Sequence, residues 1–242
     1  NKRLIKSSNK ANFIIANSHF TKELAIKVGL EKTKINIIFP GIAKRKKIDS
    51  KLKIKSYDVF KDSFPKIITV SRLEKRKGHD KVLMAIKNLK TLFPKIKYVS
   101  IGSGKEENSL LKLCKELGIE NNVIFLKNID YDSKLSLISS ANLFLMPSRV
   151  ENKSVEGFGI SFIEAASCGV ASIGGKHGGE TDAIIHEKTG LICDGNDLNS
   201  IYDSVIHFFK NDNFIKYGKN ALEFSKKFHW DILIKKYLKL IN

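Results

Sequence analysis

Two glutamates in the segment VEGFGISFIEAASCG, residues 155–169, could bind a phosphorylated, hydroxyl-rich ligand. Glu156 and Glu164 are separated by seven residues, and Gly157 and Gly159 lie between them where an apolar helix is predicted to begin. A helix N-terminus offers free N–H groups and a positive dipole end to a diphosphate. Glu164 would lean toward that N-terminus, where a carboxylate is tolerated if it accepts hydrogen bonds from hydroxyls. The pattern favours Glu164 on a ribose and Glu156 on a sugar; the alternative is a capped helix with acidic surface residues.

Three further loops contain candidate ligand-binding residues. In SRLEKRKG, Arg72 and Lys77 follow a predicted strand and could clamp two phosphates, although a solvated basic loop is the alternative. The segment IGSGKEE (101–107) lacks the third glycine of a dinucleotide fingerprint, so a tight turn is the simpler interpretation and ligand contact stays open. The segment GGKHGGETDAI (174–184) is rich in glycine, which indicates either a loop close to a ligand or an ordinary turn.

Short β-branched segments alternate with amphipathic helical segments, which predicts an α/β fold with a Rossmann-like parallel sheet flanked by helices. The alternation begins with a strand, a helix and a strand over 13–41 and resumes after a charged stretch. One predicted helix places Val82, Ile86, Leu89 and Phe93 on a single face. Because ligands bind such sheets beyond the carboxyl ends of the strands, we expect the four loops to share one edge. Together they predict a pocket for a nucleotide diphosphate-sugar.

The charge and composition of the chain indicate which kinds of molecule it could bind. The 242 residues carry a net charge of +18, which favours partners that bear phosphate or acidic groups. The lysines are spread along the chain without an aromatic ladder, so we do not predict binding to nucleic acid. No segment has the length of a membrane span, and the basic start lacks the apolar core of a signal peptide. The start without methionine suggests a fragment or a processed chain.

The three cysteines, Cys114, Cys168 and Cys193, lie in apolar surroundings and have no metal-binding spacing. They are predicted to be buried, reduced thiols of a cytoplasmic protein.

The order of these motifs closely resembles the donor-binding half of retaining GT-B glycosyltransferases of the group 1 type, a family 4-like class. The hallmark is the pair of glutamates separated by seven residues, here within EGFGISFIE, with PS before it and TGL after it. The resemblance covers roughly residues 65–242. It implies four regions: a remnant of the N-terminal domain (1–42), a charged linker (43–64), a donor-nucleotide-sugar domain (65–225), and a C-terminal helix that crosses back (226–242).

The resemblance also implies roles for individual residues. Arg72 and Lys77 match the pair that binds the donor diphosphate, Glu164 matches the ribose-binding acid, and Glu156 matches the acid that contacts the transferred sugar. The implied donor-binding set is Arg72, Lys77, Asn128, Ile129, Asp130, Glu156, Phe158, Gly159, Ile160 and Glu164. Within it, residues 158–160 would offer backbone N–H groups and residues 128–130 would lie beside the base. The implied catalytic residues are Glu156, Arg72 and Lys77.

The function implied is retaining transfer of a hexose from a nucleotide-sugar to a lipopolysaccharide, lipid-linked or polysaccharide acceptor. The segments EGFGISFIEA and GGKHGGETDAI favour GDP-mannose, and UDP-hexoses remain open. No metal or cofactor is expected, and the acceptor would be bound by the N-terminal domain, so this chain alone is expected to be weakly active or inactive. The basic charge fits a cytoplasmic enzyme, peripheral at an anionic membrane. Alternatives are a non-catalytic nucleotide- or polyanion-binding module, or an epimerase or phosphorylase of the same fold.

Overall fold

The computed structural model describes residues 2–44 and 59–241. Most of the predicted charged linker therefore lies outside the described residues. The amino-terminal part contains helix α1 (Lys2–Ser8), strand β1 (Ile14–Ala16), helix α2 (His19–Lys27) and strand β2 (Ile35–Ile37). Strands β1 and β2 pair in parallel, which confirms the predicted strand, helix and strand over 13–41.

A six-stranded parallel sheet forms the main body of the described chain, with the strand order β5-β4-β3-β6-β7-β8. Its strands are β3 (Lys66–Val70), β4 (Lys97–Ile101), β5 (Val123–Leu126), β6 (Leu143–Met146), β7 (Ser172–Gly175) and β8 (Gly190–Cys193). The helices are α3 (His79–Leu89), α4 (Glu107–Glu116), α5 (Tyr131–Ser140), α6 (Ile160–Ser167), α7 (Glu180–Ala183), α8 (Leu198–Phe209), α9 (Asn213–Ser225) and α10 (Trp230–Ile241). The chain proceeds outward from β3 to β5 and then returns to place β6 beside β3, so the strand order reverses there. In such sheets ligands bind at this reversal.

Both faces of the sheet are buried, as the sequence predicts. Neighbouring residues on β3 face opposite sides: Ile67 packs in a cluster with α3, α4 and α8, whereas Ile68 packs in a cluster with α5 and α6. The predicted apolar face of α3 is confirmed for Val82, Ile86 and Leu89, which are fully buried in the first cluster. The helix ends at Leu89, so Phe93 packs against that cluster from beyond the helix and not from its face. A parallel sheet covered in this way requires strands that are apolar on both faces.

A buried polar chain joins β3, β4 and α3 close to the strand reversal. The Tyr98 hydroxyl donates to Thr69 Oγ1 (2.9 Å), and Thr69 in turn donates to the carbonyl oxygen of Leu145. The ring of His79 contacts the Tyr98 hydroxyl through Nδ1 (3.0 Å) and Ser71 Oγ through Nε2 (2.9 Å). Burial lowers the pKa of His79 to about 4, so the folded chain holds this imidazole neutral.

Acid should therefore destabilise the fold through His79. The unfolded chain takes up a proton on His79 below its ordinary pKa of 6.5, whereas the folded chain does so only near 4, so stability is lost as the pH falls between them. From about pH 7.5 to about pH 5, this term lowers the free energy of unfolding by about 2 kcal/mol. Urea unfolding at both pH values measures this loss. Between about pH 7.5 and about pH 5, the free energy of unfolding should fall by about 2 kcal/mol more in the wild type than in His79→Gln. The same substitution at exposed His207 should leave the wild-type response intact, and identical responses in all three chains would contradict the prediction.

The C-terminal helix returns to the amino-terminal segment. The backbone N–H of Ile42 donates to the carbonyl oxygen of Phe228 (2.8 Å), and the N–H of Trp230 donates to that of Ile42 (3.1 Å). In α10 Leu233 is buried, whereas Trp230 and Leu238 are about half exposed. The helices within residues 2–44 and 59–241 include none with the length and hydropathy of a membrane span.

Candidate functional site

The loops after β3 and β6 are held together at the strand reversal. The loop after β3 forms a short 3-10 turn (Lys75–Lys77) and ends at Gly78, which has a φ of +79°. A Cβ atom on Gly78 would lie 2.4 Å from the carbonyl oxygen of Pro147, so only glycine allows this approach. The buried Arg149 guanidinium forms a bidentate pair with Asp80 at 2.9 and 2.8 Å. Side chains on the two loops are therefore fixed relative to each other.

A chain of alternating charges runs along this edge. Arg72 pairs with Glu74 (2.7 Å), Glu74 pairs with Arg76 (3.0 Å), and Arg76 pairs with Glu156 (3.2 Å). Glu156 is also bound by the ammonium group of Lys77. The side chains of Arg76, Lys77 and Glu156 are only 10–12% exposed, whereas that of Arg72 is 71% exposed. The structure thus brings Lys77 and Glu156 into contact, and Arg72 is linked to them through Glu74 and Arg76.

Glu164 lies in the second turn of α6 and has its own cation. Its Oε1 atom is 2.7 Å from the Nζ atom of Lys134 on α5, and both side chains are less than one-fifth exposed. The same ammonium group lies 4.6 Å from the centre of the Tyr131 ring. The two predicted glutamates are therefore each paired with a lysine.

The predicted base-binding loop, residues 128–130, leads directly into α5. Asn128 has a φ of +56°, and Ile129 packs against the second apolar cluster. The Asp130 carboxylate caps α5 by accepting a hydrogen bond from the N–H of Ser133 (2.9 Å), which lowers the pKa of that carboxyl. The Asp130 side chain is therefore used to cap the helix, and the side chain of Asn128 is exposed.

The turn before α6 depends on glycine and on a buried aromatic ring. Gly159 caps the helix with a φ of +84°, and a Cβ atom there would lie 2.5 Å from the ring of Phe162. Phe158 is 2% exposed, and its ring is stacked on Phe39 at a centroid distance of 5.5 Å. The first helical residue, Ile160, is 37% exposed. The Phe158 ring is therefore part of the packing of the fold and is not exposed to a ligand.

The amino-terminal segment contacts both this turn and α7. The backbone N–H of His19 donates to Asp182 Oδ2 (2.6 Å), and His19 Nδ1 lies 2.8 Å from Asp182 Oδ1. A Cβ atom on Gly157 would lie 3.2 Å from Asn17 Nδ2. Residues that follow β1 therefore lie directly against the EGFG turn.

The glycine-rich loop after β7 is fixed to the end of β8 by charge. Asp194 accepts contacts from Lys176 Nζ (2.8 Å) and His177 Nε2 (3.0 Å). The bond from Lys176 is the main reason that the pKa of Asp194 lies well below its usual range. The predicted loop therefore has a defined anchor on the neighbouring strand.

Glu180 was missed as a site residue by sequence reasoning. It begins α7, is fully buried, and accepts a hydrogen bond from the Ser148 hydroxyl on Oε1, while Oε2 has no partner among the described residues. Burial raises the pKa of this carboxyl to about 7, and the nearby Glu156 acts in the same direction. In the sequence, Glu180 is indistinguishable from an ordinary acidic residue at a helix start.

Arg76 and Lys134 were also missed. Arg76 is adjacent to the predicted Lys77, so the basic run EKRKG was a signal that more than one cation lies there. Lys134 had no such signal, because its partner Glu164 is thirty positions away on another helix.

The sheet, the strand reversal and the loops above define a Rossmann-like α/β domain of the GT-B glycosyltransferase type. The chain belongs to the glycosyl transferases group 1 family, whose family model matches residues 50–224. The predicted fold class and the resemblance to this family are thereby confirmed.

Curated relatives include GDP-mannose-dependent alpha-(1-6)-phosphatidylinositol monomannoside mannosyltransferases. That of Mycolicibacterium smegmatis is 32% identical over 58% of this chain and 37% of its own length. That of Mycobacterium tuberculosis (strain CDC 1551) is 31% identical over 71% of this chain and 46% of its own length. The chain therefore spans less than half the length of these two relatives.

Among solved structures, Anabaena Alr3699/HepE in complex with UDP and glucose superimposes with a TM-score of 0.86 at 19% identity, covering 99% of this chain and 66% of that one. A glycosyltransferase from Rickettsia africae superimposes with a TM-score of 0.84 at 20% identity, with the same coverage of 99% and 66%. At these identities the likeness establishes the fold.

Proposed function

We propose that this chain is the donor half of a retaining hexosyltransferase and binds a nucleotide diphosphate-hexose at the carboxyl edge of β3 and β6. The observation that carries the proposal is the pair of nearly buried carboxylates, Glu156 and Glu164, each held by a lysine where the strand order reverses. Buried charged groups at the carboxyl edge of a parallel sheet are typical of sites that bind charged or hydroxyl-rich ligands.

The ion pairs explain how a donor would be accommodated. A diphosphate would draw Lys77 and Arg76 from Glu156, because phosphate oxygens are strong acceptors for both cations. Glu156 would then be released to accept hydrogen bonds from the sugar, and its role is to orient the sugar rather than to act as a base. Glu164, kept in place by Lys134, would accept hydrogen bonds from the ribose. The cations and the N-terminus of α6 would stabilise the leaving diphosphate, so the proposal needs no metal or cofactor.

GDP-mannose is the donor we favour, because the two curated relatives above are named as GDP-mannose-dependent. The Anabaena protein that shares the fold is bound to UDP, so a UDP-hexose is the second candidate. The proposed acceptor is a glycan or glycolipid, such as a lipopolysaccharide, held by an amino-terminal domain. We also propose that the enzyme works in the cytoplasm at an anionic membrane, to which the net charge of +18 would attract it. Sedimentation with anionic vesicles tests this, and binding that is insensitive to salt would contradict it.

Calorimetric titration with GDP and UDP tests the donor site. One nucleotide should bind at a single site, and Glu164→Gln should weaken its affinity about tenfold or more, which is about 1.4 kcal/mol, because the ribose loses a charged acceptor. The matched control is Glu116→Gln on α4, where an exposed carboxylate pairs with Lys112 (3.6 Å). Absence of binding, or an equal effect of both substitutions, would contradict the proposal.

The competing function is a non-catalytic nucleotide- or polyanion-binding module of the same fold. The spread of basic residues favours it, since such a surface binds phosphate without carboxylates. It predicts that substitution of Glu156 and Glu164 leaves the affinity unchanged, so the same titration separates the two functions.

A further inference from the structure

The described residues contain one fully buried carboxyl group beneath the proposed donor site, that of Glu180. Its relative exposure is 0%, and one of its oxygens is bound by the Ser148 hydroxyl, which follows β6. Its other oxygen, Oε2, has no partner among the described residues. A buried and half-satisfied carboxyl destabilises a fold, so its presence calls for a function.

The unpartnered oxygen faces the backbone that carries Glu156. The position that a Cβ atom would occupy on Gly178 lies 2.5 Å from Glu180 Oε2 and 2.4 Å from the carbonyl oxygen of Glu156. The N–H of Gly179 donates to that same carbonyl oxygen (2.9 Å). The turn at Gly178 and Gly179 therefore brings Glu180 close to the main chain of Glu156, and a side chain on Gly178 would fill the space between them.

We propose that Glu180 is a positioning residue that holds Ser148 and the Gly178–Gly179 turn against Glu156, and that donor binding makes this buried carboxyl group hold its proton more tightly than it does in the free chain. This inference rests on the proposed function, because the ligand whose binding it tunes is the nucleotide-sugar donor. Glu180 touches neither the sugar nor the diphosphate in this scheme, since it lies wholly below the surface.

The charges around Glu180 explain the coupling. Glu156 faces it from the loop before α6 and favours its neutral form, whereas Lys77 faces it from the turn after β3 and favours ionisation. Cys193, at the end of β8, stays a neutral thiol because burial raises its pKa to about 12. Ser148 is uncharged. A donor would add the negative charges of its diphosphate and draw Lys77 away, and both changes make ionised Glu180 less favourable.

A bound donor should therefore keep Glu180 protonated at a pH where the free chain begins to lose that proton. By linkage, the affinity for the donor falls as the pH rises above the free-chain pKa of about 7. Nucleotide-sugars suit the test better than free nucleotides, because their diphosphate has no terminal ionisation near neutral pH.

The experiment is calorimetric titration of the full chain with GDP-mannose and with UDP-glucose between about pH 6 and about pH 8.5. We expect wild-type affinity for the donor that binds to fall about tenfold across this range, and Glu180→Gln, which keeps the shape and stays neutral, to show a flat profile. In two buffers of different ionisation enthalpy at about pH 7.5, the wild type should take up a fraction of a proton and the variant none.

The control replaces His19, a titratable residue close to Glu180 that pairs with a different carboxylate. Asp182 lies two residues after Glu180 and pairs with His19, so His19→Gln should retain the wild-type profile. Binding with the same pH profile in wild type and Glu180→Gln would overturn the role of Glu180 alone. If the wild type binds the donor without taking up a proton, the role of Glu180 is also overturned. This outcome needs no variant, so it stands even if Glu180→Gln does not fold. Failure of the wild type to bind either nucleotide-sugar would overturn the proposed function and this inference together.

Discussion

Replacement of Lys77 by methionine should weaken the binding of the nucleotide diphosphate by a factor of about 100 or more, which is about 3 kcal/mol. Two effects add in the same direction. The diphosphate loses a cation that is only 10% exposed and therefore poorly screened by solvent. Glu156 also loses its closest counter-charge and repels the incoming phosphates. Calorimetric titration with whichever of GDP and UDP the wild type binds would measure the change.

Lys75→Met is the matched control for Lys77→Met. Lys75 lies in the same 3-10 turn, is 56% exposed, and pairs with Glu151 at 3.6 Å, so its loss should change the affinity by no more than about twofold. Adding Glu156→Gln to Lys77→Met should recover part of the lost affinity, because the repulsive carboxylate is then neutral. Equal effects of the two lysine substitutions would show that the buried ion pair is not where the diphosphate binds.

Periodicity and glycine positions were sufficient to predict the fold. The apolar residues of α3 recur every three or four positions, and Gly118, with a φ of +62°, follows the C-cap residue Leu117 of α4 as a helix-ending glycine should. These signals are local, because a few neighbouring residues decide them. The parallel sheet and the positions of the four loops at its carboxyl edge follow from the same alternation.

The pairing of charges within the site could not be predicted in this way. Lys77 binds a carboxylate 79 positions away, and Ser148 binds Glu180 across 32 positions. Resemblance to a family identified Glu156, Glu164 and Lys77 by residue type and spacing. It gave no partner for Glu164, and it did not distinguish buried Glu180 from the exposed acids, because burial depends on which elements pack together. The assignment of the ten donor-binding residues stays a prediction until binding is measured.

Truncation of Phe158 to alanine should lower the free energy of unfolding by about 3 to 5 kcal/mol. The ring is 2% exposed and lies between Phe39 and Phe228, at centroid distances of 5.5 and 5.7 Å. Phe39 follows β2 and Phe228 precedes α10, so the cavity would open where the amino-terminal segment, the EGFG turn and the C-terminal helix meet. Urea unfolding at neutral pH gives the magnitude.

The position of Phe158 between Phe39 and Phe228 predicts a second, local effect of Phe158→Ala. Because Phe158 links β2 and its neighbours to the main sheet through packing, we expect hydrogen exchange of the amides in 14–37 to accelerate more than that of β4 and β5. The control is Phe64→Ala, since Phe64 is 45% exposed and lies elsewhere, against Phe93 and Phe209. Phe64→Ala should lower the free energy of unfolding by less than half as much as Phe158→Ala, and it should leave hydrogen exchange in 14–37 unchanged. Equal destabilisation by both substitutions, with uniform exchange, would mean that the three segments do not depend on Phe158 for their contact. Phe158 would then matter to the proposed donor site only through its backbone.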